Sequence, residues 1–132
     1  MSRQLLPGQH IKVSRFFYSH HGIFMGFHQG SPVVAELAKP PDGGVVRLVW
    51  LETFARGAQL EVVEHADGVA LDQVVRNVVQ ARGWRKYDLF DWNCEHFANW
   101  CSTHQVRSLQ VEGLSTAAIF VLGLWLLGKL GA

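Results

Sequence analysis

The stretch Asn93-Cys94-Glu95-His96-Phe97 has the residue types and spacing for thiol chemistry. Asn is one of the best helix N-caps. A helix beginning at Cys94 puts the thiol in the first turn, where unpaired N–H groups and the helix dipole favour negative charge. That setting promotes thiolate formation. Phe97, Ala98 and Cys101 fall at i+3, i+4 and i+7 from Cys94, which turns the thiol toward the buried side of the helix. A thiolate aimed inward needs a partner in the core.

The elements that must supply that partner follow from periodicity. Strands are expected over His10–Phe17, His20–Phe27, Val33–Leu37, Val45–Trp50 and Leu60–Glu64, separated by turns at Pro7-Gly8 and Gln29-Gly30-Ser31-Pro32 and a Pro/Gly-rich loop from Lys39 to Gly44. Leu51–Arg56 reads as one helical turn ended by Gly57. Leu71, Val74, Val75, Val78, Val79 and Arg82 keep helical spacing up to Gly83. Trp84–Trp92 is an aromatic-rich connection, the Cys94 helix runs to about His104, and Val106–Val111 is a last short strand or link. Strands first and helices second predict an α+β domain with a small antiparallel sheet packed against helices.

Two histidines are candidates. His20 and His21 are strand neighbours and face opposite ways. His21 shares its face with Ile23, Met25 and Phe27. His20 shares its face with Gly22, Phe24 and Gly26, and the two glycines would let a helix carrying Cys94 approach closely. Spacing alone leaves both open.

Tyr18-Ser-His-His-Gly-Ile-Phe-Met-Gly26 resembles the histidine block of the lecithin retinol acyltransferase family, and Asn93-Cys-Glu-His-Phe-Ala98 matches its cysteine block. The family includes the vertebrate retinol acyltransferase, the HRAS-like suppressor phospholipase/acyltransferases, bacterial members and the H-box/NC proteins of some picornaviruses. It is a circularly permuted relative of the NlpC-type and papain-like cysteine enzymes. The resemblance spans roughly Leu6 to Val111 and implies that Cys94 is the nucleophile and His20 the base. His21 falls where a Trp or Tyr is usual, and Tyr18 matches a tyrosine that helps hold the oxyanion. In phospholipase members a second histidine precedes a Leu-Ala-Pro string. Here Val34-Ala35-Glu36-Leu37-Ala38-Lys39-Pro40 puts Glu36 in that place, a carboxylate able to orient an imidazole and stabilise its cation. His28 sits in the turn and is a poorer substitute.

The chain as a whole sets the remaining bounds. It has 132 residues, 48% apolar and 17% charged, with a formal net charge of +1 and no dense basic block, so nothing points to nucleic acid. Cys94 and Cys101, roughly 10 Å apart along a helix axis, exceed the about 7 Å a disulfide tolerates, and a reducing compartment fits. The N-terminus lacks the apolar core of a signal peptide. Gly113–Gly128 carries no charge, and Lys129 is the only charge after Glu112. This run sits just below the roughly 17–25 residues of a spanning helix. Residues 1–111 are therefore expected to form the catalytic domain and 112–132 a hydrophobic tail. That tail is either a membrane anchor, with the catalytic domain on the cytoplasmic side, or a buried closing helix.

The function so implied is a membrane-associated thiol acyltransferase or phospholipase A acting on glycerophospholipid esters through a Cys94 thioester. No cofactor or metal is expected, and the partners are a phospholipid membrane, an acyl-donor lipid and an acceptor. The rivals are a cysteine peptidase or amidase of the papain-like group and a non-catalytic membrane-anchored interaction module. A zinc site of Cys94, His96, Cys101 and His104 lacks the short paired ligand spacing. His96 reads instead as a cap or packing residue, Cys101 as a small core residue, and Trp92 and Trp100 as packing or interfacial aromatics.

Overall fold

A computed structural model of the protein describes residues 4–38, 44–82 and 93–104. Strands β1 (His10–Ser14), β2 (Ser19–His28), β3 (Ser31–Leu37) and β4 (Val46–Trp50) run as an up-and-down meander, and β5 (Glu61–Val63) returns to the free side of β1. The sheet order is β4-β3-β2-β1-β5, antiparallel at every step. The predicted first strand stops at Ser14, where Ser14 pairs with Ser19, and the Arg15 N–H donates to the Tyr18 carbonyl at 2.7 Å. Phe16 and Phe17 thus belong to a hairpin tip. The next turn is tighter. Gln29 and Gly30 have φ of 52° and 82°, as a two-residue hairpin turn matched to the strand twist requires.

Helix α1 (Leu51–Ala55) follows β4 directly and stops at Arg56 and Gly57, both at positive φ. Helices α2 (Leu71–Ala81) and α3 (Cys94–Thr103) carry the later apolar periodicity. They cover one face of the sheet. Val74, Val78 and Ala81 of α2 and Cys94, Phe97, Ala98 and Cys101 of α3 pack with Ile23, Ala35 and Leu37. The opposite face buries Ile11, Val13, Phe24 and Val34 under Phe54 of α1. Each buried phenyl ring contributes about 1.5–3 kcal/mol relative to exposure.

This layering corrects the expected docking. Helix α3 sits on the His21 and Ile23 side, not over the glycines beside His20. Gly22 instead makes room for α1. A Cβ there would lie 2.8 Å from the Phe54 ring, from Val34 Cγ1 and from the Ala35 carbonyl oxygen. Gly26, at φ 108°, lies where the β2–β3 register slips, and the bulge brings Phe27 round to the Phe24 ring at 5.7 Å.

Asn77 ties the two long helices together. Its Nδ2 donates to the Cys101 carbonyl at 2.9 Å and lies 3.0 Å from His104 Nε2. Cys94 and Cys101 are both buried free thiols, and burial pushes the Cys101 pKa up. The Trp84–Trp92 connection, the Val106–Val111 segment and the 112–132 run lie outside the described residues. Among the described residues no helix is long and apolar enough to cross a membrane.

Candidate active site

The cysteine is positioned by a cap. Asn93 Oδ1 accepts from the backbone N–H of Glu95 at 2.9 Å and of His96 at 3.1 Å, while the Asn93 N–H donates to His96 Nδ1 at 3.0 Å. This is a reciprocal capping box with histidine in the place usually held by Glu or Gln. It fixes the first turn of α3 and accounts for His96 as a capping residue. Cys94, 5% exposed, then sits with Sγ 3.9 Å from the carbonyl oxygen of Ser19, the residue just before His20.

His20 is buried and oriented from one side. Its Nε2 lies 3.0 Å from Glu36 Oε1, and Phe54 of α1 covers the imidazole at a ring separation of 4.9 Å. Strand register explains the pair, since Gly22 of β2 stands opposite Glu36 of β3 and its missing side chain leaves the diagonal open to His20. Burial pushes the Glu36 pKa up. The hydrogen bond and charge of His20, followed by those of Arg47, outweigh that and hold it below its ordinary value. Glu36 is thus a carboxylate at neutral pH. An ionised carboxylate only accepts, so Nε2 is the donor to Glu36, and in the neutral imidazole this leaves the lone pair on Nδ1. That Nδ1 is buried and has no hydrogen-bond partner among the described residues.

The other candidates fall as follows. Tyr18 is half-buried, its ring 6.5 Å from that of His20 and nearly perpendicular to it. His28 lies at the far end of β2 near Trp50, away from the thiol. Of the imagined zinc set, His96 is turned to Asn93 and His104 to Asn77, and no group among the described residues could hold a metal ion. An apolar hollow of about 700 Å³ is lined by Met25, Phe27, Val33, Leu48 and Trp50, at the end of the sheet remote from Cys94.

Two polar partners escaped the sequence reading. Arg47 of β4, directly opposite Glu36, donates from Nε at 3.1 Å and lies with Nη2 at 3.0 Å from Oε2. Its only signal was a lone charge in the apolar run Val45-Val-Arg-Leu-Val-Trp50. The second is Glu95, buried at the start of α3, with Oε2 3.7 Å from His21 Nε2. His21 Nδ1 is 2.7 Å from His10 Nε2, and His10 Nδ1 is 2.7 Å from His65 Nε2. Three imidazoles therefore run in series to a carboxylate beside Cys94. Burial drives the His21 pKa down to about 4 against the pull of Glu95, and burial likewise lowers His10 and His65.

A family model matches most of the chain. The model described as lecithin retinol acyltransferase covers residues 3–107. This chain belongs to the lecithin retinol acyltransferase family. It is 28% identical to the lecithin retinol acyltransferase of Rattus norvegicus over 135 aligned positions, covering 81% of this chain and 58% of that protein. The protein of the same name from Mus musculus is 29% identical over 133 positions, covering 80% and 57%. This member of the family thus spans somewhat more than half the length of the relatives it matches.

Proposed function

We propose that this chain is a membrane-associated thiol acyltransferase that takes an acyl group from a glycerophospholipid ester onto Cys94. His20 Nδ1 accepts the Cys94 proton and the thiolate attacks the ester carbonyl. The Cys94 backbone N–H, in the first turn of α3 where the helix dipole favours negative charge, and the Tyr18 hydroxyl are the donors to the resulting oxyanion. As the carbon–oxygen bond breaks, His20 returns its proton to the leaving alkoxide, and the acyl group stays on sulfur as a thioester. An acceptor hydroxyl, amine or water then gives its proton to His20 and attacks the thioester, and the proton passes back to the Cys94 sulfur. Glu36, held by Arg47, stabilises the imidazolium in both halves.

The observation that carries this reading is the bare, buried Nδ1 of His20. It faces away from a carboxylate that fixes the opposite tautomer, on the residue next to the one whose carbonyl the thiol touches. The names of the similar rat and mouse proteins favour acyl transfer over the peptidase or amidase chemistry of the papain-like group. The permuted NlpC-type relationship, the 1–111 catalytic domain, a cytoplasmic orientation and an anchoring role for residues 112–132 belong to the same proposal.

The test is incubation with mixed phospholipid vesicles followed by intact-protein mass spectrometry. An acyl-sized mass gain in the natural chain and none in Cys94→Ala is expected. Equal, background-level labelling of both would remove the enzymatic reading.

A further inference from the structure

The tip of the β1–β2 hairpin exposes two adjacent phenyl rings. Phe16 is 90% and Phe17 88% exposed, and their ring centroids lie 4.3 Å apart in an edge-on arrangement. Adjacent residues exposing this much aromatic surface are unfavourable in water. The tip is also held in place. Arg15 N–H closes the turn on the Tyr18 carbonyl, and the Arg15 guanidinium donates from Nη2 to the Phe54 carbonyl at 2.6 Å and from Nη1 to that of Ala55 at 3.4 Å. The rings are therefore braced outward by the end of α1.

We infer that Phe16 and Phe17 form an insertion tip that seats the active-site end of the sheet in a lipid surface. Three observations select lipid as the occupant. The first is area: two phenyl rings offer roughly 300–500 Å², well under the roughly 800 Å² per partner of a stable protein interface. A narrow convex tip of this size suits a surface that closes around it. The second is charge. Arg15 lies at the base of the tip and Arg56 directly follows Ala55, whose carbonyl Arg15 binds, and cations near exposed Phe are the combination that binds anionic lipid interfaces. The third is continuity with the site. Tyr18, Ser19 and His20 follow the tip directly, and the Cys94 sulfur stands 3.9 Å from the Ser19 carbonyl oxygen. At about 3.3 Å per residue, the His20 backbone lies no more than about 10–13 Å from the backbone of Phe17 and Phe16.

The inference deepens the acyl-transfer reading by naming the face that meets the substrate, yet contact with lipid can be measured without turnover. In the full chain, 4-benzoylphenylalanine is placed at position 16, 17 or, as a control, at position 27, whose Phe is also exposed but lies at the opposite end of β2. After irradiation with phosphatidylcholine–phosphatidylserine vesicles, mass spectrometry is expected to find phospholipid adducts at 16 and 17, at least tenfold above those at 27. Adducts to a second copy of the chain, adducts to residues 113–132, equal lipid labelling at 27, or no adduct would each overturn the inference. The F16S/F17S variant separates this from the acyl-transfer reading. It should keep its activity on a water-soluble short-chain ester within about twofold while losing at least tenfold on vesicles. Absence of activity on both substrates in the natural chain would defeat the acyl-transfer reading and leave the crosslinking result standing.

Discussion

Arg47 grips Glu36 from the outer side of the sheet, with Nε and Nη2 at 3.1 and 3.0 Å from Oε2, and so leaves Oε1 for His20. Arg47 thereby helps fix the carboxylate that in turn orients the His20 imidazole.

Arg47→Gln removes one of the two partners that hold the Glu36 carboxyl below its ordinary value of 4.5. The sign follows from linkage. A carboxyl with a depressed folded pKa stabilises the fold above its unfolded value, and that stabilisation is lost as pH falls through the folded one. In R47Q the Glu36 titration, followed by carboxyl ¹³C shift, should move upward. The midpoint of acid unfolding and the acid limb of Cys94 acylation should move to higher pH with it. An unmoved Glu36 titration would show that His20 alone holds the carboxylate.

Glu36→Gln is nearly isosteric but can donate from its amide to His20 Nε2. That permits the tautomer with the proton on Nδ1, the atom that takes the thiol proton in the proposed mechanism. Single-turnover acylation of Cys94 should fall about 10²–10⁴-fold, the span of a lost general base, while the fold survives. Rates within threefold of the natural chain would exclude a tautomer-setting role.

Gly22→Ala places a methyl 2.8 Å from a backbone oxygen and two packed side chains. Overpacking at a site this close should cost about 1–3 kcal/mol, read as a lowered denaturant midpoint with an unchanged slope. A neutral result would mean that α1 lifts freely from the sheet.

The series His65, His10, His21 predicts acid sensitivity separate from that of Glu36. All three folded pKa values are lowered, His21 to about 4, so the unfolded chain binds more protons between the ordinary 6.5 and the folded values. Stability should therefore drop as pH falls below about 6.5, with a slope of up to about 1.4 kcal/mol per pH unit for each of the buried His10 and His21 and less for the solvent-screened His65. Equilibrium unfolding from pH 7 to 4.5 checks this, and a flat profile would mean that the imidazoles titrate normally.

What the sequence disclosed was local. Asn93, Cys94 and His96 lie within one helical turn, so cap, thiol and packing direction could be read from spacing. The opposition of His20 and His21 came from strand alternation. Which face α3 would choose did not, because both faces are covered, and the second cover is a five-residue helix whose contribution rests on one buried ring, Phe54. The Glu36–Arg47 pair depends on the register of β3 against β4, which no local pattern encodes. The His10–His65 contact joins residues 55 positions apart and left no trace in periodicity.

The same distances along the chain order the assembly of the site. His20 and Glu36 are 16 residues apart and meet through one hairpin, whereas Cys94 reaches the Ser19 carbonyl across 75. In an open chain the longer closure costs about 1.4 kcal/mol more, from the logarithmic dependence on loop length. His20 and Glu36 meet within a local meander, whereas the Cys94 sulfur reaches the Ser19 carbonyl only when α3 docks on the sheet. During synthesis, the proposed base and its carboxylate can therefore pair long before the proposed nucleophile has emerged.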